Sequence, residues 1–418
     1  MERKYIMHLD GDSFFVSVEA AKDPSLRGKP VVSGYERGIA SAMSYEAKKL
    51  GITRGMPVFQ IRKLFPQTIV VSSDYESYAV FSRRMIDIVK RYTDRVEEYS
   101  IDECFADFSQ MKSFIENPWP ILEKIKSDIR RELGITVSLG LGPTKVIAKT
   151  ASKRNKPDGL TVLEPQEVPL ALSKTPVDSV WGIGSATAFA LRKKGVATAL
   201  DLALKPRDWV AEHFSKPMIY LWYELNCISM MPVVTSSDQQ KSIMKTRTFS
   251  PSSNSKSYVF SELSKNIENA ARKAREMKLV AGELSIYLKT SSFTYKRNWC
   301  KLAVPTNEPF EIIQEARKLY ESLFSKGTEY RATGTTLHAL MPETAQQENL
   351  FGDMHKANGR REVVSTVDKI NKKYGRSVIH IASSDMAIRK EEKSDKKPGY
   401  MPKGFWKRLS IPYLGEVF

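Results

Sequence analysis

Residues 243–341 switch between strand-like and helix-like apolar spacing in the order β-α-β-β-α-β. Alternating apolar residues mark strands, and apolar residues three and four apart mark helices. The pattern predicts strands at 244–249, 282–290, 299–304 and 333–340, and helices at 259–278 and 310–324. That order has few compact solutions, because connections stay short and unknotted. The expected product is a split βαβ sheet with both helices on one face.

The rest of the chain is organised around this block. Through about residue 165, strands (5–9, 30–32, 39–40, 96–100, 104–108, 136–141) alternate with helices (from Phe14, then 45–50, 57–65, 73–92, 120–133, and from Thr144). This predicts a mixed α/β layer domain. Residues 166–232 read as short helices around the glycine turn Trp181-Gly182-Ile183-Gly184. Residues 233–242 are polar and serine-rich, as a linker is. Beyond Pro342 the chain is polar and basic, with about 15 basic against about 7 acidic side chains over 356–418. Such a tail is expected to be partly disordered or to contact nucleic acid. The fold class is therefore multidomain, α/β followed by α+β.

Charge narrows the partners. Sixty-five Lys and Arg against 48 Asp and Glu leave +17, with a pI near 9.5. An excess of that size predicts a polyanionic partner. No apolar run nears the ~18 residues of a spanning helix, so no membrane role is expected. The N-terminus reaches acidic residues too early for a signal peptide. Cys104, Cys227 and Cys300 are odd in number and form no CxxC pair, and the five histidines have no metal-type spacing. A reducing, cytoplasmic setting is expected.

The chemistry-bearing residues sit at predicted strand ends. Asp10-Gly11-Asp12 closes the first strand, and Asp102-Glu103 lies in a tight turn between two strands. Carboxylates gathered together repel unless a cation lies between them. Mg²⁺ takes oxygen ligands from carboxylates and phosphates, and a pair of such ions suits in-line phosphoryl transfer. Taken singly, each acidic pair reads first as an ordinary turn. Lys156, in Asn155-Lys156-Pro157-Asp158-Gly159, suits a triphosphate or simply a solvated loop. Tyr45 and Lys48 share a helix face, which is either a phosphate contact or plain surface. The glycine turn at 181–184 offers backbone N–H groups to a phosphate or merely joins two helices.

Five motifs in order resemble the Y-family translesion DNA polymerases of the bacterial DinB/UmuC group. They are Asp10-Gly11-Asp12-Ser13-Phe14-Phe15, Ser44-Tyr45-Glu46-Ala47-Lys48, Tyr99-Ser100-Ile101-Asp102-Glu103, Gly140-Leu141-Gly142-Pro143-Thr144-Lys145 and Lys156-Pro157-Asp158-Gly159. The resemblance covers about residues 5–341. It implies a right-hand polymerase: palm at 1–30 and 74–165, fingers at 31–73, thumb at 166–232 with a helix-hairpin-helix-like turn, linker at 233–242, little finger at 243–341, and a basic tail at 342–418. The implied activity is template-directed, low-fidelity lesion-bypass synthesis, with primer-template DNA and dNTP as partners and two Mg²⁺ ions as cofactors.

Carried over by residue, the resemblance implies that Asp10, Asp102 and Glu103 hold the catalytic ion. Asp10, Asp12 and the carbonyl of Gly11 would hold the nucleotide-bound ion. Tyr45, Lys48 and Lys156 would hold the triphosphate, and Phe14 and Phe15 would line the nucleotide site with Phe15 as steric gate. Many relatives carry Arg at the place of Lys48, and lysine lacks the bidentate fork. Relatives often carry a hydroxyl where Ala42 stands. In the tail, Gln347, Leu350 and Phe351 resemble a clamp-binding peptide for the bacterial sliding clamp. Asp368-Lys369-Ile370-Asn371-Lys372-Lys373-Tyr374-Gly375, and Trp406 followed by Ser410, Pro412 and Tyr413, resemble a UmuC-type extension, which brings in an accessory subunit of UmuD type as a candidate partner. Two other functions compete: a nucleotidyl cyclase, which also uses a palm-like sheet, and a DNA-bound scaffold without catalysis.

Overall fold

A computed structural model describes residues 4–235, 240–345, 354–374 and 377–395. They fall into two compact units that divide near residue 237.

In the first unit the strands are β1 (Ile6–Gly11), β2 (Val31–Ser33), β3 (Ala42–Met43), β4 (Ile69–Val71), β5 (Val96–Glu98), β6 (Glu103–Asp107), β7 (Val137–Gly142) and β8 (Leu160–Val162). One sheet has the order β5-β6-β1-β7-β8, and a small second sheet has the order β3-β2-β4. The helices between them are α1 (Phe14–Lys22), α2 (Tyr45–Lys49), α3 (Val58–Leu64), α4 (Tyr75–Lys90), α5 (Lys112–Glu116), α6 (Trp119–Leu133) and α7 (Lys145–Arg154).

β1 is central and wholly buried, so its two faces carry different work. Met7 and Leu9 point into a core with Phe81 and Met85 of α4 and Ile125 and Ile129 of α6. Ile6 and His8 point to the other face, which α7 covers. α7 fits there because His8 stands opposite Gly140 of β7. A Cβ at Gly140 would run into the α7 backbone at Ala148 and Ser152. The Thr144 hydroxyl caps α7 by accepting from Ile147 N–H (3.3 Å).

Five short helices follow: α8 (Val168–Ser173), α9 (Ser185–Lys193), α10 (Ala199–Ala203), α11 (Arg207–His213) and α12 (Lys216–Leu225). They share an apolar cluster with Val146, Ile147 and Ala151 of α7. Gly182 takes φ 93°, the left-handed conformation the turn requires.

In the second unit β9 (Ile243–Ser253), α13 (Lys256–Glu276), β10 (Leu279–Thr290), β11 (Tyr295–Thr306), α14 (Pro309–Leu323) and β12 (Tyr330–Pro342) form one antiparallel sheet, order β11-β10-β12-β9, packed on its helices. This is the expected β-α-β-β-α-β order, with longer strands.

The short strands depart from expectation. The strand expected at 39–40 lies instead at Ala42–Met43; Ile39 makes only an isolated bridge to Pro57, and the left-handed Gly38 precedes it. β4 was not expected at all; three residues are too few to show a period. Beyond Pro342 the described residues include two helices. α15 (Met354–Tyr374) and α16 (Asp385–Asp395) pack on α13 through charge pairs, Arg275 on Asp368 (2.7 and 3.0 Å) and Lys265 on Glu391. Val364, Ala387 and Ile388 are buried beneath them. Among the described residues no helix is long and apolar enough to cross a membrane.

Candidate active site

The register of the central sheet sets Asp10 against the Asp102-Glu103 turn. Asp10 at the end of β1 stands directly opposite Glu103 at the start of β6. Gly11 N–H donates to the Asp102 carbonyl (2.8 Å), which pins the turn against the strand end. Like charges directly opposite on paired strands are destabilising. Here cations compensate. Lys156 pairs with Asp10, and Lys149 of α7 pairs with Glu103 at 2.7 Å. Burial pushes the Asp10 carboxyl up to about 6; Lys156 opposes the rise, and Glu103 and Asp102 add to it. Ser100 donates to Asp102 (2.7 Å) and orients it.

Asp12 is buried and hydrogen-bonded within the protein. It is 2% exposed. One carboxylate oxygen accepts from the Ser138 hydroxyl (2.7 Å), and the other accepts from Asp158 N–H (2.7 Å). The left-handed Ser13, φ 47°, turns the chain immediately after it. Among the described residues no three acidic, histidine or cysteine side chains converge as a ready-made metal cage. The donor set nonetheless fits a hard divalent ion: carboxylates at adjoining strand ends, with lysine ammonium groups as their present counter-charges.

The three candidate phosphate contacts gather on the same rim. Ser44 caps α2 by accepting from Ala47 N–H (3.2 Å), which fixes the start of the helix carrying Tyr45 and Lys48. The Tyr45 hydroxyl lies 3.5 Å from an Asp12 oxygen, and burial, then Asp12 and Asp10, push its pKa up. Lys48 lies over the Tyr45 ring at 4.1 Å and reaches Ser13 Oγ at 3.1 Å. Burial and then Lys156 lower the Lys48 pKa, as expected for two cations sharing one pocket.

The two phenylalanines separate. Phe14 is 2% exposed, and its side chain sits in the core beside Gly11. Adjacent helical residues point about 100° apart, and Phe15 therefore emerges where Phe14 does not. The Phe15 ring stacks on Tyr78, with centroids 4.3 Å apart and planes 9° apart, and meets Tyr75 edge-on at 5.6 Å.

Sequence reasoning missed Lys149, His8, Ser138 and Ser152. The available signal was lysine at 145 and 149 within a helix whose first eight residues are all buried. Gln347, Leu350 and Phe351 lie outside the described residues, as do Gly375, Trp406, Ser410, Pro412 and Tyr413.

Known proteins resemble the chain over most of its length. Residues 9–153 match the impB/mucB/samB family, and residues 240–350 match the impB/mucB/samB family C-terminal domain. DNA polymerase IV of Moorella thermoacetica is 34% identical over 385 residues, spanning 91% of this chain and 96% of that protein. DNA polymerase IV of Streptococcus pyogenes serotype M1 is 32% identical over 347 residues, 81% of this chain and 95% of that one. Among solved structures, a Y-family DNA polymerase chimera superposes with TM-score 0.71 at 25% identity, covering 81% of this chain and 99% of the other. DinB from Sulfolobus solfataricus superposes with TM-score 0.53 at 26% identity, covering 80% and 98%.

Proposed function

We infer the chemistry of this site from one premise: the chain belongs to the impB/mucB/samB family, as a bacterial DinB-type Y-family polymerase. It is a DNA-directed DNA polymerase of the translesion type, a nucleotidyltransferase. The finer reading is a two-metal reaction on primer-template DNA with dNTP. The primer 3′ oxygen attacks the α-phosphorus, the bond to the bridging oxygen breaks, and pyrophosphate leaves. Asp10, Asp102 and Glu103 would hold one Mg²⁺. Asp10, Asp12 and the Gly11 carbonyl would hold the other once Asp12 gives up Ser138 or Asp158. Bound there, the ions would ease deprotonation of the primer hydroxyl and neutralise charge on the phosphates. Tyr45, Lys48 and Lys156 would grip the triphosphate, with lysine at 48 acting as a point charge.

The observation that carries this reading is the direct cross-strand pairing of Asp10 with Glu103, an arrangement unfavourable to folding unless cations are used there. The test is extension of a primed template with single dNTPs, with Mg²⁺ and with chelator. Template-matched, Mg²⁺-dependent extension is expected; its absence from folded protein rejects the reading. We assign residues 1–30 and 74–165 to the palm, 31–73 to the fingers, 166–232 to the thumb and 243–341 to the little finger.

Electrostatics supplies a further prediction. The outer face of the second unit's sheet and its β10–β11 turn combine bases and rings: Lys289 over Tyr295 (4.6 Å) and Arg297 over Tyr295 (5.0 Å) on the strands, and Arg331 over Phe293 (4.3 Å) at the turn. Such a face suits a phosphate backbone and carries no sequence code. The logarithm of DNA affinity should fall linearly with the logarithm of salt, by about 0.9 per phosphate neutralised. Replacing Arg297 with Ala should shallow that slope by about one. Fluorescence anisotropy across salt measures it, and a flat salt response removes this face from DNA binding.

Clamp docking through Gln347, Leu350 and Phe351 is proposed on the peptide resemblance. Leu350→Ala with Phe351→Ala should abolish clamp-stimulated synthesis yet spare synthesis on short templates without clamp. Unchanged clamp affinity in that variant would move the tether elsewhere.

A further inference from the structure

Glu103 is held from behind by groups that belong to none of the expected contacts. Its Oε2 receives Lys149 Nζ at 2.7 Å. Its Oε1 faces His8 Nε2 at 4.0 Å. His8 is fully buried and its Nε2 has no hydrogen-bond partner, while its Nδ1 is committed to Ser152 Oγ at 2.8 Å. Burial, with Lys149 second, holds the His8 pKa well below its usual value.

Lys149 is itself confined. Its side chain is 8% exposed. The ammonium lies over the Tyr99 ring at 4.6 Å and the Trp181 ring at 5.7 Å. Trp181 Nε1–H donates to the Tyr99 hydroxyl at 2.8 Å, which locks the two rings edge to face at 5.3 Å between centroids. Trp181 comes from the glycine turn of the short-helix region, Tyr99 from the strand leading into the acidic turn, and Lys149 from α7. Two other chain segments thus wall one ammonium group whose ion-pair partner is Glu103. A lysine meant for a mobile phosphate would keep its head in water; this one has its head walled by rings and fixed on a carboxylate.

We propose that Lys149, clamped between Tyr99 and Trp181, is a positioning residue that fixes the orientation of the Glu103 carboxylate, with the buried His8 ring lying behind the second oxygen. The proposal rests on Glu103 being a metal-binding carboxylate of the polymerase site. It adds a role for the aromatic wall: the turn at 181–184 supports the acidic centre instead of only joining helices. Lys156, in contrast, stands on Asp10 at the open rim and is the cation free to transfer to a triphosphate.

The experiment compares K149M, K149R, W181A, E103Q and the K149M/E103Q double variant, each checked for an unchanged melting transition. Single-turnover primer extension at saturating Mg²⁺ gives the maximal rate and the dNTP dissociation constant separately. Mn²⁺ titration of the protein without DNA, read by electron paramagnetic resonance, gives ion affinity apart from activity. K149M should lower the maximal rate about 10–100-fold, as loss of an orienting partner of a metal ligand does. Its dNTP dissociation constant should stay within about threefold, because no uniform substrate contact is lost. Mn²⁺ should bind several-fold tighter to free K149M, since the counter-charge on Glu103 is gone. K149R should restore most of the rate, and W181A should repeat the K149M pattern more weakly. The double variant should be no slower than E103Q alone.

A raised dNTP dissociation constant at unchanged rate makes Lys149 a phosphate ligand and overturns the proposal. So does unchanged Mn²⁺ affinity in K149M, or a double variant slower than E103Q by the full K149M factor. If K149M does not fold, K149R and W181A decide the matter: wild-type rate in W181A removes the aromatic clamp, and no rescue of rate in K149R removes the positioning charge. A near-normal rate in E103Q rejects the underlying metal-site reading instead, and the Mn²⁺ titration then tells that failure from a failure of Lys149 alone.

Discussion

Asp10→Asn is expected to lower primer extension by about a thousandfold or more while leaving the fold and DNA binding in place. The magnitude is that of removing a group on which the rest of a catalytic unit depends. Asp10 is the one carboxylate proposed to serve both ions, so the loss should be among the largest of any single substitution here. Asparagine keeps the shape and one acceptor oxygen but removes the charge. Stability should hold, because Asp10 faces Glu103 across the strand pair and the change relieves a like-charge repulsion. The stranded partner, Lys156, is 23% exposed and stays hydrated. Residues at functional sites commonly trade stability for activity, and a melting temperature equal to or above wild type with extension lost is the signature of that trade. The check is single-turnover extension beside thermal unfolding and DNA anisotropy. Extension within tenfold of wild type would remove Asp10 from the centre of the chemistry.

Much of this site is readable from sequence because its backbone is set by strongly patterned elements. Asp10 lies at the end of a buried strand, and Asp102-Glu103 in a turn between two apolar runs. Period-two alternation fixes the face each residue takes. Ser44 and Asp74, accepting from Ala47 and Ser77 N–H, mark the starts of α2 and α4 as cap chemistry predicts. What escapes is long-range and polar. No local pattern couples Lys149 to Glu103, 46 residues apart, or Asp12 to Asp158, 146 residues apart. The hydrogen bonds of Asp12 to Ser138 and Asp158 leave no mark in the local sequence. Phe14 and Phe15 read alike, and only the direction of α1 puts one in the core and the other on Tyr78. The helices after Pro342 are hidden for a related reason: their attachment runs through pairs such as Arg275–Asp368 and Lys265–Glu391, which in sequence look like solvated charge.

Phe15→Ala should raise incorporation of ribonucleotides relative to deoxynucleotides by about a hundredfold, the range over which a pocket gains or loses discrimination against one added group. The argument starts from rigidity. A ring can exclude a hydroxyl only if it cannot swing aside. Phe15 is stacked face to face on Tyr78 at 4.3 Å and braced edge-on by Tyr75 at 5.6 Å. Tyr78 is in turn anchored, its hydroxyl donating to Glu19 at 2.8 Å. The ring lies on α1, which follows directly from the Asp10-Gly11-Asp12 strand end, so its distance from the acidic centre is set by secondary structure. Removing it opens space beside the proposed sugar position without touching Asp10, Glu103 or Lys156. Deoxynucleotide insertion should therefore persist, slower but measurable. Tyr78→Phe, which removes only the anchor to Glu19, should shift selectivity the same way by a smaller factor. Insertion of matched rNTP and dNTP pairs under single-turnover conditions reads both variants. If Phe15→Ala folds and discriminates as wild type does, the ring is packing and sugar choice lies with other residues.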